Sequence, residues 1–355
     1  MHTTDHSRFH EIICDFPEQI LESSKLIENF NFKSIPKKFD HLIFLGMGGS
    51  AIAGDFLKCY LHQEFPVPFM VNRNYTLPDF VGPKTLVIAC SYSGDTEETI
   101  SATKSAIEAK AHVVGIASGG KLQQLLENQQ KPFLKIPAGY PPRQALAFMF
   151  FPLLNLFQHL GIITPRQADL TEVITVLRGV REKNHPEKTH HHNFCNLIAQ
   201  KLYKKIPVIY TASEFLYPVV VRWRNQFNEN SKILAFSNVI PELTHNEIMG
   251  WEAPPDIVKN FNIIFLRNDF ETTRNRKRLE ITKNIFQKNN LAIFEVFAEG
   301  KSVLSQIFSL VYIGDWVSYY LAILYDKDPY KIESINHLKE SLSRFKESSK
   351  SRNKS

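Results

Sequence analysis

The chain has 355 residues, 43% hydrophobic and 22% charged, ordinary globular usage that excludes global disorder. That length exceeds the roughly 250–300 residues at which a single core stops growing, so two domains are expected. The net charge of +6 is concentrated late, with six Lys/Arg against two Glu between Lys339 and Ser355, so the near-neutral body argues against a nucleic-acid-binding face.

Short β-rich runs alternate with amphipathic segments, the pattern of a parallel sheet flanked by helices. In the first half, strands are expected at 41–45, 68–71, 85–90, 112–116 and 133–136. Helices are expected at 16–30, 50–61, 96–110, 121–129, 144–160 and 166–183. A polar stretch, 184–193, contains Pro186 and the run His190, His191 and His192 and reads as a linker. The pattern then restarts, with strands at 207–211, 233–236, 262–266 and 292–296. Its helices fall at 194–204, 215–229, 271–288, 303–325 and 330–344. The fold class is therefore α/β, with two doubly wound parallel-sheet domains. Residues 1–184 and 194–345 form the domains, 185–193 the linker and 346–355 a disordered basic tail. No uninterrupted apolar run approaches the ~20 residues of a bilayer span, so no membrane partner is expected. Met1–His10 is polar and unlike a signal peptide. The four cysteines, Cys14, Cys59, Cys90 and Cys195, have no paired spacing, which fits a reducing cytoplasm. The His cluster lacks zinc-ligand spacing, so no metal is expected.

Two turns carry the chemical signal. Leu45-Gly46-Met47-Gly48-Gly49-Ser50-Ala51 follows a strand and opens a helix. Glycines let backbone approach a ligand, and a helix N-terminus offers free N–H groups to an anion. Gly46, Gly48 and Ala51 also fit a dinucleotide fingerprint, with Arg73 after the next strand as the partner of a 2′-phosphate. The second turn is Ser91-Tyr92-Ser93-Gly94-Asp95-Thr96, again between strand and helix. A helix cap needs one hydroxyl. Three hydroxyls, at Ser91, Ser93 and Thr96, favour a phosphate monoester seat. No Walker lysine is present, which argues against a nucleoside triphosphate.

Together these turns resemble the sugar isomerase (SIS) domain, which is flavodoxin-like. Further segments resemble the bifunctional phosphoglucose/phosphomannose isomerase family. They are Pro142-Arg143-Gln144-Ala145-Leu146, Asn228-Glu229-Asn230-Ser231-Lys232, Pro241-Glu242-Leu243-Thr244-His245-Asn246-Glu247 and Asp328-Pro329…Leu338-Lys339. These segments run from about residue 40 to residue 340, nearly the whole chain. Asp95 stands where the family more often carries Asn, and Thr244 where Asn is common.

The resemblance implies an aldose–ketose isomerase of glucose 6-phosphate and fructose 6-phosphate, with mannose 6-phosphate left open. The reaction moves a proton between C2 and C1 through an enediol. It requires a base, help in ring opening and a positive group beside the developing oxyanion. By resemblance Glu229 is the base, near a helix C-terminus whose negative dipole end would raise its pKa. His245 opens the ring and is supplied to the partner's site, which implies a homodimer. Lys339 assists at the ring oxygen, and Arg143 stabilises the enediolate. Gly49 and Ser50 contact the sugar, and Ser91, Ser93 and Thr96 hold the phosphate. Glu247, Trp251 and Glu252 are expected to be structural. The chemistry needs no cofactor. Two alternatives stand beside it: a sugar-phosphate-binding regulator without turnover, and an NADP-dependent oxidoreductase using Gly46–Ala51 and Arg73.

Overall fold

Successive side chains of a strand point to opposite faces, so a strand apolar on both faces must be covered twice. The strands β1 (His41–Leu45) and β3 (Thr85–Cys90) meet that condition, being buried along almost their whole length. The computed structural model describes residues 4–28, 30–188, 193–289 and 291–345. It has two all-parallel sheets. The first is ordered β2-β1-β3-β4-β5, with β2 at Phe69–Asn72, β4 at His112–Ala117 and β5 at Phe133–Lys135. The second is ordered β7-β6-β8-β9, with β6 at Ile206–Thr211, β7 at Phe236–Val239, β8 at Phe261–Arg267 and β9 at Ala292–Phe297.

One face of each sheet shares a single apolar core. Leu42, Phe44, Leu86 and Ile88 enter it from the first sheet, and Ile209, Ile264 and Leu266 from the second. Between the sheets lie α2 (Phe16–Lys25), α3 (Gly48–Leu61), α6 (Leu146–His159), α7 (Gln167–Asn184), α8 (Phe194–Leu202), α9 (Tyr217–Gln226) and α12 (Val303–Leu324). The outer face of the first sheet packs on α4 (Glu97–Glu108) and α5 (Gly120–Asn128), through Val87, Ala89, Ala102 and Leu122. The outer face of the second packs on α11 (Thr273–Lys288). Among the described residues α12 alone is long and apolar enough to cross a membrane, but 89% of its most apolar window is buried inside the molecule. It is the central helix of the shared core.

Three expected elements move. The strand expected at 233–236 lies at Phe236–Val239, with Val208 paired to Phe236. The preceding helix runs on as a π-turn, Phe227–Ser231, and ends at Lys232 in the left-handed region. The Ala235 N–H then donates to the Asn228 side chain at 3.2 Å, holding the connection to the turn and not to the sheet. The helix expected at 16–30 ends at Lys25. The one expected at 330–344 begins three residues later, as α13 (Glu333–Arg344). A further helix, α1 (Phe9–Cys14), begins within the segment read as polar, anchored by Asp5, which accepts from the Phe9 N–H at 2.6 Å. The remaining α10 (Pro255–Val258) is a single turn. His190–His192 and the tail 346–355 lie outside the described residues.

Candidate active site

In an open α/β sheet, ligands bind beyond the carboxyl ends of the strands where the strand order reverses. In the first sheet that point lies between β1 and β3, and the glycine turn and the hydroxyl loop are the segments leaving those two strands. They are tied together directly: the Tyr92 N–H donates to Ser50 Oγ at 3.0 Å. Ser91 is fully buried, and its hydroxyl donates to Thr96 Oγ1 at 2.9 Å and accepts from the Gly94 N–H at 3.2 Å. Ser93 is exposed, with its Oγ accepting from the Asp95 N–H at 3.2 Å. Thr96 is the N-cap of α4 yet makes no side-chain cap bond, so the hydroxyls shape the loop and the first N–H groups of α4 carry no side-chain cap. Asp95 turns away: its Oδ1 accepts from the Lys121 N–H at 3.1 Å, at the N-terminus of α5. The carboxylate is thereby stabilised by a second helix and does not face the first.

Gly49 joins this seat to the next group. A Cβ there would lie 2.9 Å from the Pro142 carbonyl oxygen and 3.3 Å from Arg143 Cα. Only a residue without a side chain lets the glycine turn close on the 3-10 turn Pro142–Gln144. Arg143, 4% exposed, points from that turn toward the π-turn after α9. Its Nε donates to Asn230 Oδ1 at 2.6 Å, and its Nη2 to the carbonyls of Pro329 and Tyr330 at 2.7 and 3.1 Å. Its Nη1 is buried without a hydrogen-bond partner and lies 3.5 Å from Glu229 Oε2. Burial pushes the guanidinium pKa below its ordinary value, with Glu229 opposing that shift. The Phe9 ring lies beneath, 5.3 Å from the guanidinium carbon.

Gly49, Ser50, Ser91, Ser93, Thr96, Arg143 and Glu229 are thus joined in one chain of contacts running from the hydroxyl loop to a carboxylate. His245 and Lys339 are not. His245 is exposed at the end of the 3-10 turn Glu242–His245, and Lys339 is exposed on α13, which buries none of its residues. Among the described residues neither has a hydrogen bond or ion pair to that cluster. Glu247 is structural: it accepts from the Tyr210 hydroxyl and, at 2.6 Å, from the Asn238 amide, and Trp251 Nε1 donates to the same tyrosine oxygen at 3.0 Å. Arg73, which a dinucleotide reading needs for a 2′-phosphate, is paired with Asp55 of α3. Among the described residues no three His, Cys, Asp or Glu side chains gather as a metal would require. Sequence reasoning missed the contribution of Asn230 and Lys232, although both stand in the segment 228–232 that carried the resemblance. Lys232 Nζ donates to the carbonyls of Asn230 and Asp328 at 3.1 and 2.5 Å.

Comparison with known proteins gives the family and the fold. Residues 192–342 match the bacterial phospho-glucose isomerase C-terminal SIS domain, and residues 37–125 match the SIS domain. The bifunctional phosphoglucose/phosphomannose isomerase of Caldicellulosiruptor bescii is 39% identical over 95% of this chain and 99% of its own. The enzyme of the same name from Aquifex aeolicus is 34% identical over 90% of this chain and 98% of its own. In fold, a hypothetical protein of Thermus thermophilus superposes with a TM-score of 0.73 at 16% identity, covering 94% of this chain and 89% of that one. With its hydroxyl loop, its Arg143–Glu229 pair and its full-length relatives, this chain belongs to the bifunctional phosphoglucose/phosphomannose isomerase family.

Proposed function

We propose that the chain is an aldose–ketose isomerase interconverting glucose 6-phosphate, and mannose 6-phosphate, with fructose 6-phosphate. The reading is carried by one observation: a buried guanidinium keeps a single nitrogen unbonded, 3.5 Å from a carboxylate. An enediol reaction uses that pair directly. Glu229 takes the C2 proton of the opened aldose while the C1 carbonyl receives the electron pair as an oxyanion beside Arg143 Nη1. The hydroxyl proton passes from O2 to O1. Return of the carbon-bound proton at C1, with O2 becoming the carbonyl, gives the ketose. Glucose and mannose phosphates differ only at C2 and share this enediol. The phosphate rests on the α4 N-terminus and on Ser93 and Thr96, at the far end of the same contact chain, while the buried Ser91 braces the loop behind them.

His245 and Lys339 complete the site in a homodimer acting in the cytoplasm. Support comes from the elements that carry them. Leu338 is 59% exposed and Phe345 71%, and with Ile335 and Leu342 they form an apolar stripe along α13 that no described residue of one chain covers. Met249, four residues after His245, is 63% exposed. All four cysteines are free thiols, in keeping with a reducing compartment. The test is proton NMR of the purified protein with fructose 6-phosphate in heavy water. Turnover should yield glucose 6-phosphate, and mannose 6-phosphate, with deuterium incorporated at C2. Glu229→Gln should lower the rate by about a hundredfold to ten-thousandfold. Binding of fructose 6-phosphate without product would point to a regulator instead.

A further inference from the structure

The guanidinium of Arg143 owes its orientation to a residue far from it in sequence. The Asn230 side chain accepts from Arg143 Nε through Oδ1 and donates to Ser318 Oγ through Nδ2 at 2.9 Å. Ser318 Oγ spends its own proton on the Asp315 carbonyl, at 2.8 Å, one turn back in α12. The serine can therefore only accept from Asn230. A flipped amide would set its NH2 against the guanidinium N–H and would offer Ser318 an oxygen with no proton to meet it. The Ser318 backbone carbonyl also accepts from Ser231 Oγ at 2.7 Å, fastening the same π-turn a second time. Asn230 and Ser318 have no exposed surface and Ser231 only 1%. Behind them the Asp315 carboxylate accepts from Arg222 at 2.7 Å and from Gln226 at 2.6 Å, so α12 also grips the helix that leads into the turn. π-Turns are rare and recur at functional sites.

We infer that Asn230 and Ser318 are positioning residues: a buried relay from the core helix that fixes the Arg143 guanidinium, so that Nη1, the one nitrogen without a hydrogen bond, is aimed at Glu229 and the substrate's developing oxyanion. This rests on the isomerase reading and names the atoms that prepare its charge-stabilising group. Three hydrogen bonds occupy Nε and Nη2, and the relay sets the plane in which Nη1 must lie. Loosening it leaves the phosphate seat untouched, since that seat is built on the first sheet. The defect would therefore be confined to the reacting carbons.

Ser318→Ala and Asn230→Asp test the relay, both nearly isosteric and both checked for folding by thermal melting. The kinetic arm measures kcat and KM with fructose 6-phosphate. The binding arm titrates two inert ligands calorimetrically: arabinonate 5-phosphate, whose planar carboxylate mimics the enediolate, and glucitol 6-phosphate, which carries no such charge. Ser318→Ala should lower kcat by about tenfold or more with KM within about twofold, because misplacement of this size acts on the transition state. It should weaken arabinonate 5-phosphate selectively, leaving glucitol 6-phosphate unchanged. Asn230→Asp places a carboxylate beside Arg143 and Glu229, so the acidic limb of kcat/KM should move to higher pH. Variants that melt earlier but keep kcat and the wild-type preference for arabinonate 5-phosphate would overturn the relay. A wild-type protein that binds both ligands yet turns over nothing sinks the isomerase reading alone, and selective loss of arabinonate 5-phosphate in Ser318→Ala then still upholds the relay.

Discussion

Lys232 closes the π-turn with a left-handed backbone, φ 56°, and folds its ammonium back onto two carbonyls. By area the residue is exposed, but its pKa follows the ammonium's surroundings. Burial and the nearby Arg143 cation push it down to about 8, against the pull of Asp328, Glu229 and Glu333. Two consequences of opposite sign follow in one pH window. The unfolded lysine titrates near 10.4, so between about 8 and 10.4 the unfolded chain holds more protons, and the stability contribution of Lys232 rises with pH. Over the same window the site loses a cation, so kcat/KM should fall. Lys232→Arg, charged throughout, should remove that alkaline limb, while Lys232→Met should already show the reduced rate at pH 7. A limb near pH 8 shared unchanged by wild type and Lys232→Arg would assign it to another group. Asp95 teaches a related lesson. Sequence placed a carboxylate beside a phosphate loop, and only the structure turned it toward the Lys121 N–H.

At the scale of elements, the proposed phosphate seat and the proposed reacting centre come from different sources and should fail differently. Ser93 is an exposed member of the hydroxyl loop, so Ser93→Ala should weaken ground-state and transition-state binding alike. KM for fructose 6-phosphate should rise by about threefold to tenfold with kcat retained, read from initial rates. Gly49→Ala should behave in the opposite way. Its Cβ would meet backbone of the turn that carries Arg143, at 2.9 Å, and backbone cannot swing aside as a side-chain tip can. The turn must shift, and kcat should fall by about tenfold or more while phosphate-dependent binding persists. Helix α12 serves the reacting centre: its apolar length fills the shared core, and its buried Asp315 and Ser318 hold the π-turn and the helix before it.

At the scale of the whole molecule, His245 and Lys339 lack contact with the cluster among the described residues of one chain. On the dimer proposal, each site takes its base from one subunit and its histidine from the other. Glu229→Gln and His245→Ala would each be nearly inactive as homodimers. After equimolar mixing and subunit exchange, half the dimers are mixed, and each of these has one site with both native groups. Activity should then recover to about a quarter of wild type. A mixture that stays as inactive as its parents would place His245 on its own subunit's site. Charge on the apolar stripe, as in Leu338→Glu with Leu342→Glu, should halve the mass seen by light scattering.

Strand period, glycine punctuation and the alternation of strands with helices are local properties of the chain. They suffice to predict two doubly wound parallel sheets and most of their strands, and the resemblance named the residues around Arg143 and Glu229. The strand at Phe236–Val239 lies three residues beyond its expected start because a π-turn consumes chain without altering the apolar pattern. What only tertiary structure decided is the direction of polar side chains once buried. Asn230 and Ser318 lie 88 residues apart, and nothing in either neighbourhood announces a partner. A buried donor must be satisfied wherever the fold brings an acceptor, and that place is set by packing across the core rather than by spacing along the chain.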